Sequence, residues 1–267
     1  MKFSTTILGA ALLTTSVIAT PFTERRAARH AARANHTGRP ASKLDTLELA
    51  SPGGTSDTEY STNWSGAVLH GTGYTSVTGE FTVPKPKLPS GTSPSEKTCA
   101  SAWVGIDGDT CNSAILQTGV NFCIQGDEVS YGAWYEWYPD FTYDFSDFQI
   151  STGDVIKLTV TATSKNSGSA VVDNVTTGKS VTHKFAGVDH DGDLCETNAE
   201  WIVEDFMTGG KLVPLTDFGT VTFSKAEAIS GGKTVGPSGA TLFNIKKTQG
   251  VLTKSSITRD SVTVSRV

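Results

Sequence analysis

Charge is scarce in this chain, and so are methionine and long apolar runs. Of 267 residues, 18% are charged and two are Met. The one sustained apolar stretch, Ile7 to Ala19, falls short of the roughly 18 residues that a membrane helix needs. No membrane partner is therefore expected. The four cysteines, Cys99, Cys111, Cys123 and Cys195, include no Cys-x-x-Cys pair, so the usual zinc spacing is missing and no metal is expected. Gly-x-Ser-x-Gly is missing too: Gly236-Pro237-Ser238-Gly239-Ala240 lacks the last glycine. The paired Asp-Thr/Ser-Gly of aspartic peptidases does not occur, because Asp109-Thr110 is followed by Cys111. Beyond residue 60 only His70, His183 and His190 remain, none of them in a triad or His-Glu-x-x-His context.

What is present changes sharply along the chain. Met1-Lys2 followed by the short apolar run reads as a secretory signal over 1–19, which places the product outside the cell. Residues 20–59 carry Arg25, Arg26, Arg29, Arg33, Arg39 and Lys43 among alanines and read as a basic propeptide. Residues 60–267 hold 15 Lys and Arg against 22 Asp and Glu, close to −7, while residues 1–59 hold 7 against 5. An acidic surface argues against nucleic acid as partner. It also gives the basic segment an electrostatic reason to plug an acidic cleft as an inhibitor and to leave when carboxylates protonate. A solvated linker is the plainer alternative. An even cysteine count in a secreted chain implies two disulfides, with three possible connectivities.

Strand periodicity dominates the rest. In Val155-Ile156-Lys157-Leu158-Thr159-Val160-Thr161-Ala162-Thr163 the even positions are apolar, as on a half-buried antiparallel strand. Val171-Val172, Val221-Thr222-Phe223 and Val262-Thr263-Val264 repeat the habit between turn clusters such as Ser230-Gly231-Gly232. No helices intervene, so the expected class is all-β: a sandwich of two antiparallel sheets of the jelly-roll or concanavalin kind. Four prolines between Pro84 and Pro94 exclude a central strand. Residues 84–98 read as an exposed loop, a candidate for nicking or excision that leaves a one-chain or a two-chain product. Asp189-His190-Asp191-Gly192-Asp193 lacks EF-hand spacing and reads as an acidic turn.

Alternation also sorts the polar residues. Trp103 and Asp107 share one face of their strand, as do Trp134, Glu136 and Tyr138, and Glu200 and Glu204, while Gln117 ends the run Ala114-Ile115-Leu116. One sheet face with Trp, Tyr, Glu, Asp and Gln makes an acidic, aromatic groove for an extended polymer, peptide or sugar. Strand parity alone leaves open whether these are core aromatics beside solvated carboxylates.

Four long strings narrow the choice: Trp103 to Cys111, Ala114 to Gly119, Ala133 to Pro139 and Thr197 to Phe206. With the opening Asn63-Trp64-Ser65-Gly66-Ala67, they resemble the glutamic peptidases (eqolisins) from about Tyr60 to Val267. The resemblance implies two seven-stranded sheets with a cleft on one of them, an acid endopeptidase acting on proteins and peptides, and no cofactor. It implies Gln117 and Glu204 as the catalytic dyad, with Glu204, not Glu200, as the reacting carboxylate. Trp103, Asp107, Glu136 and Tyr138 match residues that line or support the family site. It implies a Cys111–Cys195 disulfide, which leaves Cys99 to pair with Cys123. Asn121 stands where relatives commonly have Asp. A jelly-roll glycoside hydrolase using Glu136 and Glu204, and a sugar-binding module, are the rival readings; the peptidase is expected to be a monomer. Of the two sequons in residues 60–267, Asn174-Val175-Thr176 in a turn region is the expected glycosylation site, ahead of Asn63-Trp64-Ser65.

Overall fold

Residues 155–164 form the strand that their alternation demands. Ile156, Leu158, Val160 and Ala162 are buried, while Lys157, Thr159 and Thr161 are half-buried. The computed structural model describes residues 38–44, 58–188, 192–209 and 211–267. The expected signal (1–19), most of the expected propeptide (20–37 and 45–57), and Asp189, His190 and Asp191 of the acidic turn lie outside the described residues.

In chain order the strands open with β1 (Thr58–Ser61), β2 (Trp64–His70), β3 (Tyr74–Thr82), β4 (Thr98–Ile106), β5 (Ile115–Gln125) and β6 (Glu128–Tyr138). There follow β7 (Tyr143–Asp144), β8 (Val155–Ser164), β9 (Ser167–Asn174), β10 (Lys179–Phe185), β11 (Asn198–Glu204), β12 (Met207–Thr208) and β13 (Lys211–Leu212). The last are β14 (Thr220–Ser230), β15 (Lys233–Val235), β16 (Thr241–Lys247), β17 (Gly250–Val251), β18 (Thr253–Ile257) and β19 (Val262–Arg266). One sheet runs β1-β16-β2-β11-β4-β5-β6-β7 with β17 on β16; the other runs β10-β9-β8-β3-β14-β19-β18 with β15 on β14. Strands β12 and β13 make a separate hairpin. Among the named strands every pairing is antiparallel except that of β1 with β16.

The sheets hold nine and eight strands, not seven each. Short pieces of two to four residues at edges and strand ends, β1, β7, β15 and β17, make up the difference; without them the sheets hold six and seven strands. Between the sheets lies one apolar layer. Ala102, Val104 and Ile106 of β4 and Trp201 and Val203 of β11 meet Leu158, Val172, Phe223 and Val264 of the facing sheet. A smaller cluster sits on the outer face of the first sheet, built from Trp64, Trp103, Ile115, Trp134, Ile202 and Phe243. Strands β4 and β11 are thus buried on both faces, which is unusual for an antiparallel sheet. Something must cover that outer face.

Cys99 and Cys123 lie opposite each other on β4 and β5 and are bonded, with Cα atoms 4.1 Å apart. Cys111–Cys195 ties the loop after β4 to the loop before β11 across a sequence separation of 84. The proline-rich loop ends at Lys97. It is tethered through Lys87, whose N–H donates to Asp217 O at 2.8 Å, and its fully exposed part runs from Ser93 to Lys97.

The setting of Asn174 weighs against the expected glycosylation. Asn174 closes β9 with its side chain fully buried. Its Nδ2 donates to Asp154 Oδ2 at 2.8 Å, and its Oδ1 accepts from the Thr177 N–H at 3.1 Å. The turn next to it is exposed, but the amide that would carry sugar is not. Asn63 offers no better acceptor, for it too is buried and its Nδ2 donates to Pro40 O.

Candidate active site

Antiparallel register decides which candidate residues meet. Gln117 on β5 lies directly opposite Glu136 on β6 and, on its other side, opposite Gly105 on β4, which in turn faces Glu200 on β11. The next row on the same face runs Ile202, Trp103, Gly119, Trp134. The row after that runs Trp64, Glu204, Ser101, Asn121, Gly132. A Cβ on Gly119 would lie 2.6 Å from Trp103 Cβ and 2.8 Å from Trp134 Cζ2. Glycine therefore lets two indoles share one row. Trp103 Nε1 reaches into the next row and donates to Glu204 Oε2 at 2.9 Å, and Trp134 Nε1 donates to Ser101 Oγ at 3.0 Å.

Gln117 Nε2 donates to Glu136 Oε2 at 2.8 Å, and Glu136 is also hydrogen-bonded by Thr142, whereas Gln117 Oε1 has no hydrogen-bond partner among the described residues. Both side chains are fully buried. Burial pushes Glu136 well above the usual carboxylate range, with the charge of Glu204 adding to the effect. Glu204 is likewise pushed up to about 8, chiefly by burial, against the pull of the Trp103 and Arg39 hydrogen bonds. Glu200 is raised by burial and by Asp107 and Asp109, and among the described residues neither of its oxygens has a hydrogen-bond partner. Asn121 and Gly132, in the row of Glu204, line an open cleft of about 450 Å³ bordered by the β12–β13 hairpin.

Asp107 does not stay on the strand face that parity gave it. Its backbone turns to φ 69° just past the end of β4. Its carboxylate accepts from the N–H groups of Glu196, Thr197 and Asn198 at 2.8 to 3.2 Å. It therefore fastens the loop that leads into β11. Tyr138 packs, half-buried, against the Trp64–Trp103 cluster.

The outer face is covered by residues 38–44. The Gly38 N–H donates to Glu136 Oε2 at 3.2 Å, and the Arg39 N–H to Glu204 Oε1 at 3.4 Å. Trp64 Nε1 donates to Arg39 O at 3.0 Å, and Asn63 Nδ2 to Pro40 O at 3.2 Å. The Ala41 N–H donates to Gly108 O at 3.0 Å, and Ala41 packs on the tryptophan cluster. Lys43 pairs with Asp109 at 2.8 Å and with Glu59 at 2.8 Å, and His70 Nε2 lies 2.6 Å from Asp109 Oδ2. Burial would raise Asp109, but hydrogen bonds from His70 and Lys43 and their charges hold it below its usual range.

With that geometry in place, the chain matches one group of known proteins in sequence and fold. The Peptidase A4 family model matches residues 62–266. The chain belongs to that family, the glutamic peptidases. It is similar to Aspergillopepsin-2 of Aspergillus niger, 56% identical over all of both chains, and to Scytalidopepsin B of Scytalidium lignicola, 36% identical over 100% of this chain and 98% of the other. Its fold matches the crystal structure of scytalido-glutamic peptidase with a transition state analog inhibitor: TM-score 0.70, 39% identity, 77% of this chain and 98% of the other. The chain is thus a glutamic endopeptidase, an acid protease, and the glycoside hydrolase reading is not favoured.

Sequence reasoning passed over several residues of this glutamic peptidase site. Asn63 and Trp64 stood in a recognised string, yet their role in gripping residues 39, 40 and 42 depends on a segment about 25 positions away. Asp109 lies in a recognised string and His70 in none, and nothing in the sequence joins the two; only the fold brings them together. Gly38 gives no sequence signal at all.

Proposed function

We propose that the chain is a secreted precursor whose 60–267 domain hydrolyses proteins and peptides through Gln117 and Glu204. Residues 1–19 act as its signal and 20–59 as its inhibitory propeptide. The observation that carries the dyad is the placement of the 38–39 backbone between Glu136, itself bonded to Gln117, and Glu204. A peptide lies where a substrate must lie.

Hydrolysis needs a base for water, a donor for the developing oxyanion, and an acid for the leaving nitrogen. Ionised, Glu204 takes the proton from water; protonated, it returns that proton to the amine. Trp103 Nε1 holds one of its oxygens, leaving the other toward the peptide. Gln117 has two side-chain N–H groups, one given to Glu136. The other is free to polarise the carbonyl, and an amide does so without titrating in acid. Glu136, kept neutral by burial, orients the amide without placing a negative charge beside the oxyanion.

The test is turnover of an unfolded protein in acid by folded variants. Glu204→Gln should be inactive at every pH. Gln117→Ala should lose about 100–1000-fold in kcat, and Gln117→Glu should keep residual activity only in strong acid, where a protonated carboxyl still donates. Glu200→Gln should change stability more than turnover. An inactive Glu200→Gln beside an active Glu204→Gln would assign the wrong carboxylate.

A further inference from the structure

We propose that the Gly38–Arg39 peptide bond is a self-cleavage site, bound across the dyad in register for hydrolysis by the same chain. The proposal rests on the peptidase reading of Gln117 and Glu204, and goes beyond it by naming the bond.

The N–H of this bond and the N–H one residue before it point at the two carboxyls of the site. Gly38 N–H faces Glu136 and Arg39 N–H faces Glu204. Arg39 N is the atom that leaves when the bond is cut, and it already faces the group that would protonate it. On the carboxyl side the register is fixed by three consecutive backbone positions: Arg39 O on Trp64, Pro40 O on Asn63 and Ala41 N on Gly108 O. Ser42 N–H donates to Asn63 Oδ1 at 2.9 Å, and Lys43 is clamped by Asp109 and Glu59. Pro40 disfavours helical backbone at Arg39 and keeps it extended, the conformation in which a strand-like groove takes a peptide.

Glycine fixes the register from the other side. A Cβ on residue 38 would lie 2.5 Å from both Gln117 Nε2 and Glu136 Oε2. Both side chains are fully buried and have little room to yield. No other residue between 38 and 44 is glycine, so sliding the segment by one places a side chain where none fits.

The step balances with one water. Its oxygen bonds to the Gly38 carbonyl carbon as the bond from that carbon to Arg39 N breaks. One proton passes through Glu204 to Arg39 N. The products are a carboxyl on Gly38 and a new amino terminus at Arg39. The water that attacks must enter beside Glu204, and its solvation must offset the burial that raises this carboxyl, so that it can ionise.

The experiment uses the full precursor, purified at neutral pH, shifted to acid over a hundredfold range of dilution and followed by intact mass and N-terminal sequencing. An unfolded protein is added to a parallel sample. The expected first new terminus is Arg39, formed at a first-order rate independent of dilution and not formed in Glu204→Gln. Gly38→Val should slow this cut about 100-fold, the effect of displacing a reacting bond by about an ångström. Digestion of the added protein with the 38–39 bond intact, or with a first cut elsewhere, would overturn the proposal and leave the peptidase reading standing. So would a rate proportional to concentration, or Gly38→Val cutting at the normal rate. Failure to cut either the precursor or the added protein would sink both.

Discussion

Glu136 is fully buried, gives Oε2 to Gln117 and Gly38, and is also hydrogen-bonded by Thr142. In the proposed mechanism it positions the amide and exchanges no proton with substrate. Glu136→Gln retains an oxygen that can accept from Gln117, so kcat should stay within about tenfold of normal. Glu136→Leu removes the acceptor and should lower kcat about 10–100-fold at nearly unchanged KM, a split that packing damage alone would not produce. Steady-state kinetics on a peptide substrate separate the two. A carboxylate-pair mechanism would instead make both variants inactive. At this scale strand parity was informative where the chain stays extended: Trp103 and Trp134 share a cluster, and Glu136 and Glu204 both meet the segment laid over that face. It failed at Asp107, where a positive φ turns the carboxylate away to the loop before β11.

Among the strands, period 2 was legible in β8 and β9, which have one face on the core and one near water. In β4 and β11 parity sorted Trp103, Glu200 and Glu204 to one face, but it did not tell that every residue of both strands is buried. There the alternation is between two kinds of interior, the inter-sheet layer and the tryptophan cluster under residues 38–44. Where a strand ends also decides chemistry. Asn174, as the last residue of β9, is drawn inward to Asp154, although its neighbours in the turn are exposed. Intact-mass measurement of secreted protein should show no sugar at this residue. Asn174→Ala should lower the unfolding free energy by about 1–3 kcal/mol in denaturant titration, because Asp154 loses a buried donor. Full glycan occupancy at Asn174 would contradict the burial.

For the whole molecule, the buried acids set how stability depends on pH. Burial raises Glu136 and Glu200, carries Glu204 from 4.5 to about 8, and carries Asp205 from 3.8 to about 6 despite its ion pair with Lys247. In each case the folded form binds its proton more tightly than the unfolded chain. Stability is therefore fully present in acid, below the unfolded values, and is lost as pH rises through the folded ones. At about 1.4 kcal/mol per tenfold change in proton affinity, Glu204 alone is worth on the order of 5 kcal/mol. Asp109 works in the opposite sense and loses its contribution only as pH falls below the usual carboxylate range. Thermal unfolding of the Gln117→Ala precursor, chosen to prevent digestion, should show Tm falling by about 10 °C between roughly pH 4 and pH 8. Glu200→Gln should remove part of that fall. A Tm that rises across this window would contradict the placement of these acids.

The sequence by itself determined the all-β class, the strand alternation where one face is wet, and the strings that mark a glutamic peptidase. These are local properties: neighbouring residues sort to opposite faces of a strand, and motif residues stay together in the chain. Only the tertiary structure decided which carboxyls are buried, that Asn174 turns inward, and that Asp107 braces a loop. It also decided that Gly38 and Arg39 lie against Glu136 and Glu204, 98 and 165 positions away. Burial and long-range backbone contacts depend on how sheets and segments stack, and no local pattern of residues records that.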